Sequence, residues 1–222
     1  MAPPGTSRWP ELLELALAII DQANERGLDL DDWSFGGGTA LMLQIDHRDS
    51  HDIDLFVTDP QVLPFLNPDT QGFRLGQMPD GIDSDGVRAL KLIYTGLGEI
   101  DFICSTALTP TPCETVELLG RPIRRETAGE IIARKVVFRG HALQPRDMFD
   151  IAATAISLGN EGIVRTLRSF PVAAGEALKR CRAMDAGLAR AVMGQLMARP
   201  AFAHLHEDAQ DICAAVLEQA VA

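Results

Sequence analysis

The sequence predicts an α+β fold: a mixed sheet with flanking helices over residues 1–125, then an all-helical domain over 126–222. Two observations carry that division. Runs rich in β-branched and aromatic residues, punctuated by Gly, Pro and Asp, recur as far as Arg125 and then stop. Beyond them the apolar residues return every three or four positions, the spacing of helices that bury one face. Charge divides at the same point. Residues 1–125 hold 20 acidic and 9 basic side chains and 126–222 hold 11 of each, so the first part alone carries the net charge of −11.

The first element is a helix from Glu11 to Arg26. Pro10 suits its first turn, Leu12, Leu15, Ala16, Ile19 and Ala23 share a face, and Gly27 stops it. Trp33-Ser34-Phe35 reads as a short strand entering Gly36-Gly37-Gly38, and a brief helix follows from Thr39 to Ile45. A polar loop, Asp46 to Ser50, leads to a strand from Asp52 to Thr58. Residues 59–70, with three prolines, read as loop. Gly72 to Cys104 reads as strands turning at Pro79-Asp80-Gly81 and near Gly96-Leu97-Gly98, with Val87–Thr95 and Glu99–Cys104 as an antiparallel hairpin. Thr115 to Arg124 reads as another strand pair, turning at Gly120. Helices are then expected at Thr127–Arg139, Pro145–Leu158, Ile163–Phe170, Val172–Met184, Leu188–Met197 and Glu207–Val221.

Composition excludes several classes. With 46% hydrophobic and 23% charged residues the chain reads as globular. No apolar run approaches the ~20 residues a bilayer crossing needs, so no membrane partner is expected. Met1 to Pro10 has neither a basic nor an apolar stretch of the export type, and a cytoplasmic location is expected. Cys104, Cys113, Cys181 and Cys213 are too scattered for a zinc site or a disulfide scaffold, which points to reduced thiols. A net charge of −11 disfavours nucleic acid as a partner. Against that, residues 121–146 carry five arginines besides Arg134 and Lys135, facing only Glu126 and Glu130. Such a segment is either a phosphate-binding wall or a set of solvated helix faces.

The chemistry centres on Gly36-Gly37-Gly38-Thr39 and Asp52-Ile53-Asp54. Residues two apart on a strand share a face, so Asp52 and Asp54 project together while Ile53 and Leu55 pack the other side. Two adjacent ionised carboxylates repel unless a cation sits between them, and oxygen-only donors favour Mg²⁺ or Mn²⁺ over zinc. Glycines before a helix, here Gly37 and Gly38, let backbone N–H groups approach phosphates, and Thr39 adds a hydroxyl. Alone, D-x-D is usually a solvated edge and G-G-G a turn; in this order they point to a metal–phosphate site. Metal-assisted phosphoryl chemistry calls for a third carboxylate. Asp101, in an otherwise apolar strand, is the candidate and Glu99 the substitute; alternatively Asp101 caps the hairpin or pairs with Lys91 opposite.

The stretch FGGGTALMLQIDHRDSHDIDLF, Phe35 to Phe56, closely resembles the AbiEii/AbiGii-type nucleotidyltransferase toxins of the DNA polymerase β-like superfamily. Glu130 to Lys135 and Arg146 to Ile151 look like later motifs of the same family, and the resemblance spans about residues 9–158. It implies that Gly38 and Thr39 contact a nucleoside triphosphate (NTP), that Asp52 and Asp54 bind metal, and that Lys135, Asp147 and Asp150 are needed for activity. It also implies an RNA acceptor such as tRNA, a cognate antitoxin, and an active site between the two halves. Two departures stand out: Asp46 where the family often has glycine before His-Arg, and a surface more acidic than RNA modification suggests.

Spacing adds its own reading. Lys135 lies four after Ile131 and three before Phe138, so it interrupts an apolar stripe and either snorkels past the core or serves a triphosphate. There it would neutralise charge on departing pyrophosphate. Asp147 and Asp150 share a face, and Arg146 is spaced to pair with Asp150; local helix stabilisation explains them as readily as catalysis. His47, Arg48 and Ser50 either shape the loop above the metals or serve structure. His204 and His206 have no partner ligands in sequence, and Cys104 reads as strand core. Asp52, Asp54 and Asp101 are therefore the expected metal ligands. The expected reaction is transfer of a nucleoside monophosphate to RNA, with a small-molecule or protein acceptor, or a non-catalytic nucleotide-binding module, as alternatives.

Overall fold

A computed structural model describes residues 7–222; the export reading at Met1–Pro10 falls, for its first six residues, outside them. The chain forms two compact units. The first comprises the residues up to Ala40, Ser50–Ala107 and Cys113–Glu126; the second comprises Leu41–Asp49, Leu108–Pro112 and Thr127–Ala222.

The first unit opens with α1 (Trp9–Glu25), which has Pro10 in its first turn and buries Leu12, Leu13, Ala16, Ile19, Ile20 and Ala23. Its strands are β1 (Trp33–Gly36), β2 (Ile53–Val57), β3 (Gly81–Ser84), β4 (Ala89–Tyr94), β5 (Gly98–Cys104), β6 (Cys113–Leu118) and β7 (Arg121–Glu126). They form one mixed seven-stranded sheet in the order β3-β4-β5-β2-β1-β7-β6. β1 runs antiparallel to β2, while the β2/β5 and β1/β7 pairs are parallel. The three outer pairs, β3/β4, β4/β5 and β6/β7, are antiparallel.

Alternation sets the faces. Ile53, Leu55 and Val57 of β2 are buried while Asp54 and Phe56 are only partly covered, and β5 buries Ile100 and Phe102 between Glu99, Asp101 and Ile103. α1 packs against both strands, so an apolar layer backs the face opposite the carboxylates.

Residues 59–70, expected as loop, contain a 3₁₀ segment, Pro60–Leu66, and the short α3, Pro68–Gln71; α2 (Gly37–Ile45) precedes them in the chain. The reason lies in the caps. Asp59 and Asn67 accept backbone N–H groups of Gln61 and of Asp69 and Thr70, and each is followed by a proline, which suits a first helical position. Residues 73–80, within the stretch read as strands, lie outside the sheet. Only Gly81–Ser84 pairs, as an edge strand on β4.

The second unit holds α4 (Ala128–Arg139), α5 (Pro145–Leu158), α6 (Asn160–Leu167), α7 (Pro171–Ala183), α8 (Ala186–Met193) and α9 (Ala209–Val221). α9 packs on α5, α6 and α7. α5 is buried continuously from Asp147 to Ala155, and alanines at 152, 153 and 155 leave room for its neighbours. Among the described residues no helix is long and apolar enough to cross a membrane.

Candidate active site

The glycine turn and the D-x-D strand meet within the first unit. β1 ends at Gly36, which pairs across the sheet with Asp54. Gly37 then takes φ +70°, a left-handed conformation costly to any residue with a Cβ. A Cβ at Gly37 would also overlap the Asp54 carboxylate, which rests directly on this glycine. The turn needs glycine for two independent reasons, and it brings Asp54 to the start of α2. There the helix dipole favours negative charge. Gly37→Ala is expected to lower transfer by about 10²-fold through displacement of Asp54, with the circular dichroism spectrum retained. Turnover near the parent value would detach Asp54 from the reaction.

Thr39 is placed differently from the sequence expectation. It is fully buried, and its hydroxyl donates to the Asp52 carbonyl at 2.6 Å. The hydroxyl thus ties α2 to the chain entering β2, which sets the height of Asp52 and Asp54 rather than exposing a phosphate ligand.

Asp54 and Asp101 lie on one face, and Asp52 stands just ahead of β2. Asp54 pairs in register with Asp101 of β5, and Asp101 pairs with Lys91 of β4. Asp52 Oδ1 accepts the Glu99 N–H at 3.1 Å. Lys91 Nζ donates to Asp101 Oδ2 at 3.1 Å and to Glu99, so the pairing weighed as an alternative for Asp101 is present. Burial pushes the Asp101 carboxyl above its ordinary pKa; Lys91 pulls it down, while Glu99 and Asp52 push it up again. Burial alone would lower the Lys91 pKa, but its bond to Glu99 and the charge of Asp101 leave it raised.

Do these residues suit a divalent cation? Among the described residues no three His, Cys, Asp or Glu side chains converge into a ready-made metal cage. Mg²⁺ seldom uses one: it takes one or two carboxylates and completes its shell with water and substrate phosphates. Asp54, a hard oxygen donor at a helix N-terminus, and Asp52, two residues before it in the chain, fit that mode. Asp101, already engaged by Lys91, would be a weaker third.

The other candidates form a separate cluster inside the second unit. Arg48 grips Asp150 with both arms, Nε to Oδ1 at 2.7 Å and Nη2 to Oδ2 at 2.9 Å, and His47 Nε2 stands 2.9 Å from Oδ1. Lys135 Nζ lies 2.7 Å from Asp147 Oδ1 and 3.0 Å from Asp150 Oδ2. Asp147 also accepts the Gln144 N–H at the start of α5, completing a capping box. The side chains of His47, Asp147 and Asp150 are fully buried, and those of Arg48 and Lys135 are 10% exposed. Burial disfavours the Asp150 charge, yet Arg48 and Lys135 more than compensate and hold its pKa well below the usual carboxylate range. Lys135 is likewise raised, its burial outweighed by Asp150 and Asp147.

Two expectations change here. Arg146 is exposed, and Asp150 takes Arg48, Lys135 and His47 as partners instead, because it faces the interior of the unit. Nor is the 121–146 segment an open basic wall. Arg121 pairs with Asp21, Arg124 with Asp32, and Arg125 with Glu114, while Arg134 is buried against Glu130.

Sequence reasoning left three residues without their roles. His47 and Arg48 anchor Asp150 from about a hundred positions away. Glu130 accepts the N–H groups of Leu108 and Thr109 and the Thr109 hydroxyl, fastening 108–112 to α4. Its signal was the T-x-x-E pattern from Thr127, which ordinarily marks a capping box. Asp46 sits at φ +44°, which accounts for the glycine usual there; aspartate tolerates that region, and Arg199 pairs with it at 2.8 Å.

A glycine turn that seats a D-x-D strand at a helix N-terminus, on a mixed sheet followed by helices, defines the chain as a nucleotidyltransferase. The family "Nucleotidyl transferase AbiEii toxin, Type IV TA system" matches residues 19–218, and the chain belongs to it. Among solved structures, the crystal structure of JHP933 from Helicobacter pylori is similar at 16% identity and TM-score 0.51, covering 97% of this chain and 93% of that one. The CD-NTase CdnG of Bradyrhizobium diazoefficiens, in complex with GTP, gives 12% identity and TM-score 0.37, covering 98% and 87%. At these identities the likeness to JHP933 shows the fold alone. Sequence comparison with curated proteins gives no match.

Proposed function

We propose that the chain transfers a nucleoside monophosphate from an NTP to RNA such as tRNA, as the toxin of a toxin–antitoxin pair. The observation that carries the reading is the seating of Asp54 on Gly37 with Asp101 beside it in register. In this reading Asp52 and Asp54 hold Mg²⁺ or Mn²⁺, which when bound neutralises the triphosphate and the charge developing on the transferred phosphoryl group. The glycine backbone at the start of α2 receives phosphate oxygens. A bond forms between the acceptor oxygen and the α-phosphorus, the bond to the bridging oxygen breaks, and pyrophosphate departs. In this reading Asp101 takes the acceptor proton. Lys135, Asp147 and Asp150 enter as the frame of the helical unit rather than as nucleotide contacts, because each already has an ionic partner there.

A second reading, a small-molecule or protein acceptor, is favoured by the pairing of Arg121, Arg124 and Arg125 with acids. One experiment separates the two: purified protein with each labelled NTP, Mg²⁺, and either total RNA or a cell extract freed of RNA. Label in RNA supports the first reading. RNA binding should then fall with salt, each phosphate contact contributing roughly −0.7 to −0.9 to the slope of log K against log salt. Label only in the RNA-free extract supports the second reading and removes the first.

A further inference from the structure

We propose that Lys91 is the internal counter-ion of the acidic row, and that it makes divalent-cation binding depend on the nucleotide. The inference rests on the metal reading of Asp52 and Asp54. Asp54, Asp101 and Lys91 stand in one register row across β2, β5 and β4. Three carboxylates, Asp54, Glu99 and Asp101, belong to this face, with Asp52 just ahead of β2, and Lys91 is the one basic residue on those three strands. Its ammonium bonds both Asp101 and Glu99 and is about one-third exposed.

A fixed positive charge beside a D-x-D pair acts on a metal in two ways. It repels the incoming cation, and it occupies an oxygen of the carboxylate best placed to become a third ligand. Both effects weaken metal binding to the free protein. An arriving triphosphate brings its own negative charge and oxygen donors, so the metal regains what Lys91 withholds. Affinity for the metal is then low without nucleotide and high with it, and by linkage the nucleotide gains equally from the metal. A partly exposed lysine suits this task, since its partners hold it without immobilising it.

The test is Mn²⁺ binding, followed by the electron paramagnetic resonance signal of the free ion, without nucleotide and then with a non-hydrolysable NTP analogue. Lys91→Met and Lys91→Gln are compared with Lys91→Arg and with Arg88→Met, which removes a positive charge outside the row. Without nucleotide, the Met and Gln variants are expected to bind Mn²⁺ about tenfold more tightly, the order of effect for one neighbouring unit charge at a partly exposed site. Lys91→Arg and Arg88→Met should stay within about twofold of the parent protein. The gain on adding the analogue should shrink in the Met and Gln variants alone. Unchanged or weaker Mn²⁺ binding in whichever of the two folds overturns the proposal, as does an equal effect in Arg88→Met. Asp52→Asn and Asp54→Asn report separately on the metal reading: if they bind Mn²⁺ like the parent, that reading fails whatever Lys91 does.

Discussion

Asp52→Asn and Asp54→Asn are each expected to lower nucleotidyl transfer by about 10²–10³-fold while the melting temperature stays near the parent value. That scale belongs to the loss of one preorganised electrostatic contact in the transition state. Asparagine preserves the shape of the site. Asp52 Oδ1 accepts the Glu99 N–H, a bond an amide oxygen can keep, and the space over Gly37 that holds the Asp54 carboxylate accommodates an amide of equal size. Each variant therefore removes a charge while keeping the side chain's size. Single-turnover rates with labelled NTP, beside thermal melts of the same preparation, provide the measurement. Near-parent rates in either variant would remove that residue from the reaction. A matching loss of melting temperature would assign the defect to folding.

Much of the first unit is legible in the sequence because its signals are local. The alternation of Ile53 and Leu55 with Asp54 turns the Asp54 carboxylate away from the buried face whatever lies elsewhere in the chain, while Asp52, expected as the first strand residue, lies just ahead of β2. The hairpin announces itself through Gly96-Leu97-Gly98, and Lys91 opposite Asp101 follows from its register. The 59–71 segment misleads, because three prolines look like breakers until Asp59 and Asn67 are seen to cap the turns after them. Long-range pairing lies beyond the reach of sequence reasoning. His47 and Arg48 meet Asp150 across about a hundred positions, and no periodicity relates them. Arg146, the right distance from Asp150 along its own helix, is the natural local guess. The basic run at 121–146 misleads in the same way. Its cations face acids such as Asp21 and Asp32, contributed by other parts of the first unit, and counting charge within a window cannot find them.

Those long-range pairs make the buried cluster the place where one substitution should most damage the fold. Asp150→Ala removes the carboxylate that buried Arg48 holds with both arms and leaves buried Lys135 with Asp147. Breaking a buried pair from one side costs about 3–5 kcal/mol, which for a protein of this size lowers the melting temperature by roughly 10 °C or more. Lys135→Ala should act in the same direction but less severely, since Asp147 loses its nearest cation while Asp150 keeps Arg48 and His47, whereas exposed Arg146→Ala should change little. Activity per folded molecule decides what Lys135 does. If it is a frame residue, Lys135→Ala loses stability and the surviving folded fraction still transfers nucleotide. If the ammonium serves the leaving pyrophosphate, transfer collapses with the melting temperature intact, and the structural assignment is wrong. Acid offers an independent check on sign. Arg48 and Lys135 hold the Asp150 pKa well below its ordinary value in the folded protein. Its contribution is therefore complete above the unfolded pKa of about 4 and drains away as pH falls through the lower, folded value. Denaturant melts from about pH 6 down to about pH 3 should show stability falling mainly below about pH 4. Asp150→Asn, less stable at neutral pH, should show a flatter fall there, because it has no proton to take up at that position. A variant that lost stability in parallel with the parent protein across this range would assign the acid sensitivity to other carboxylates.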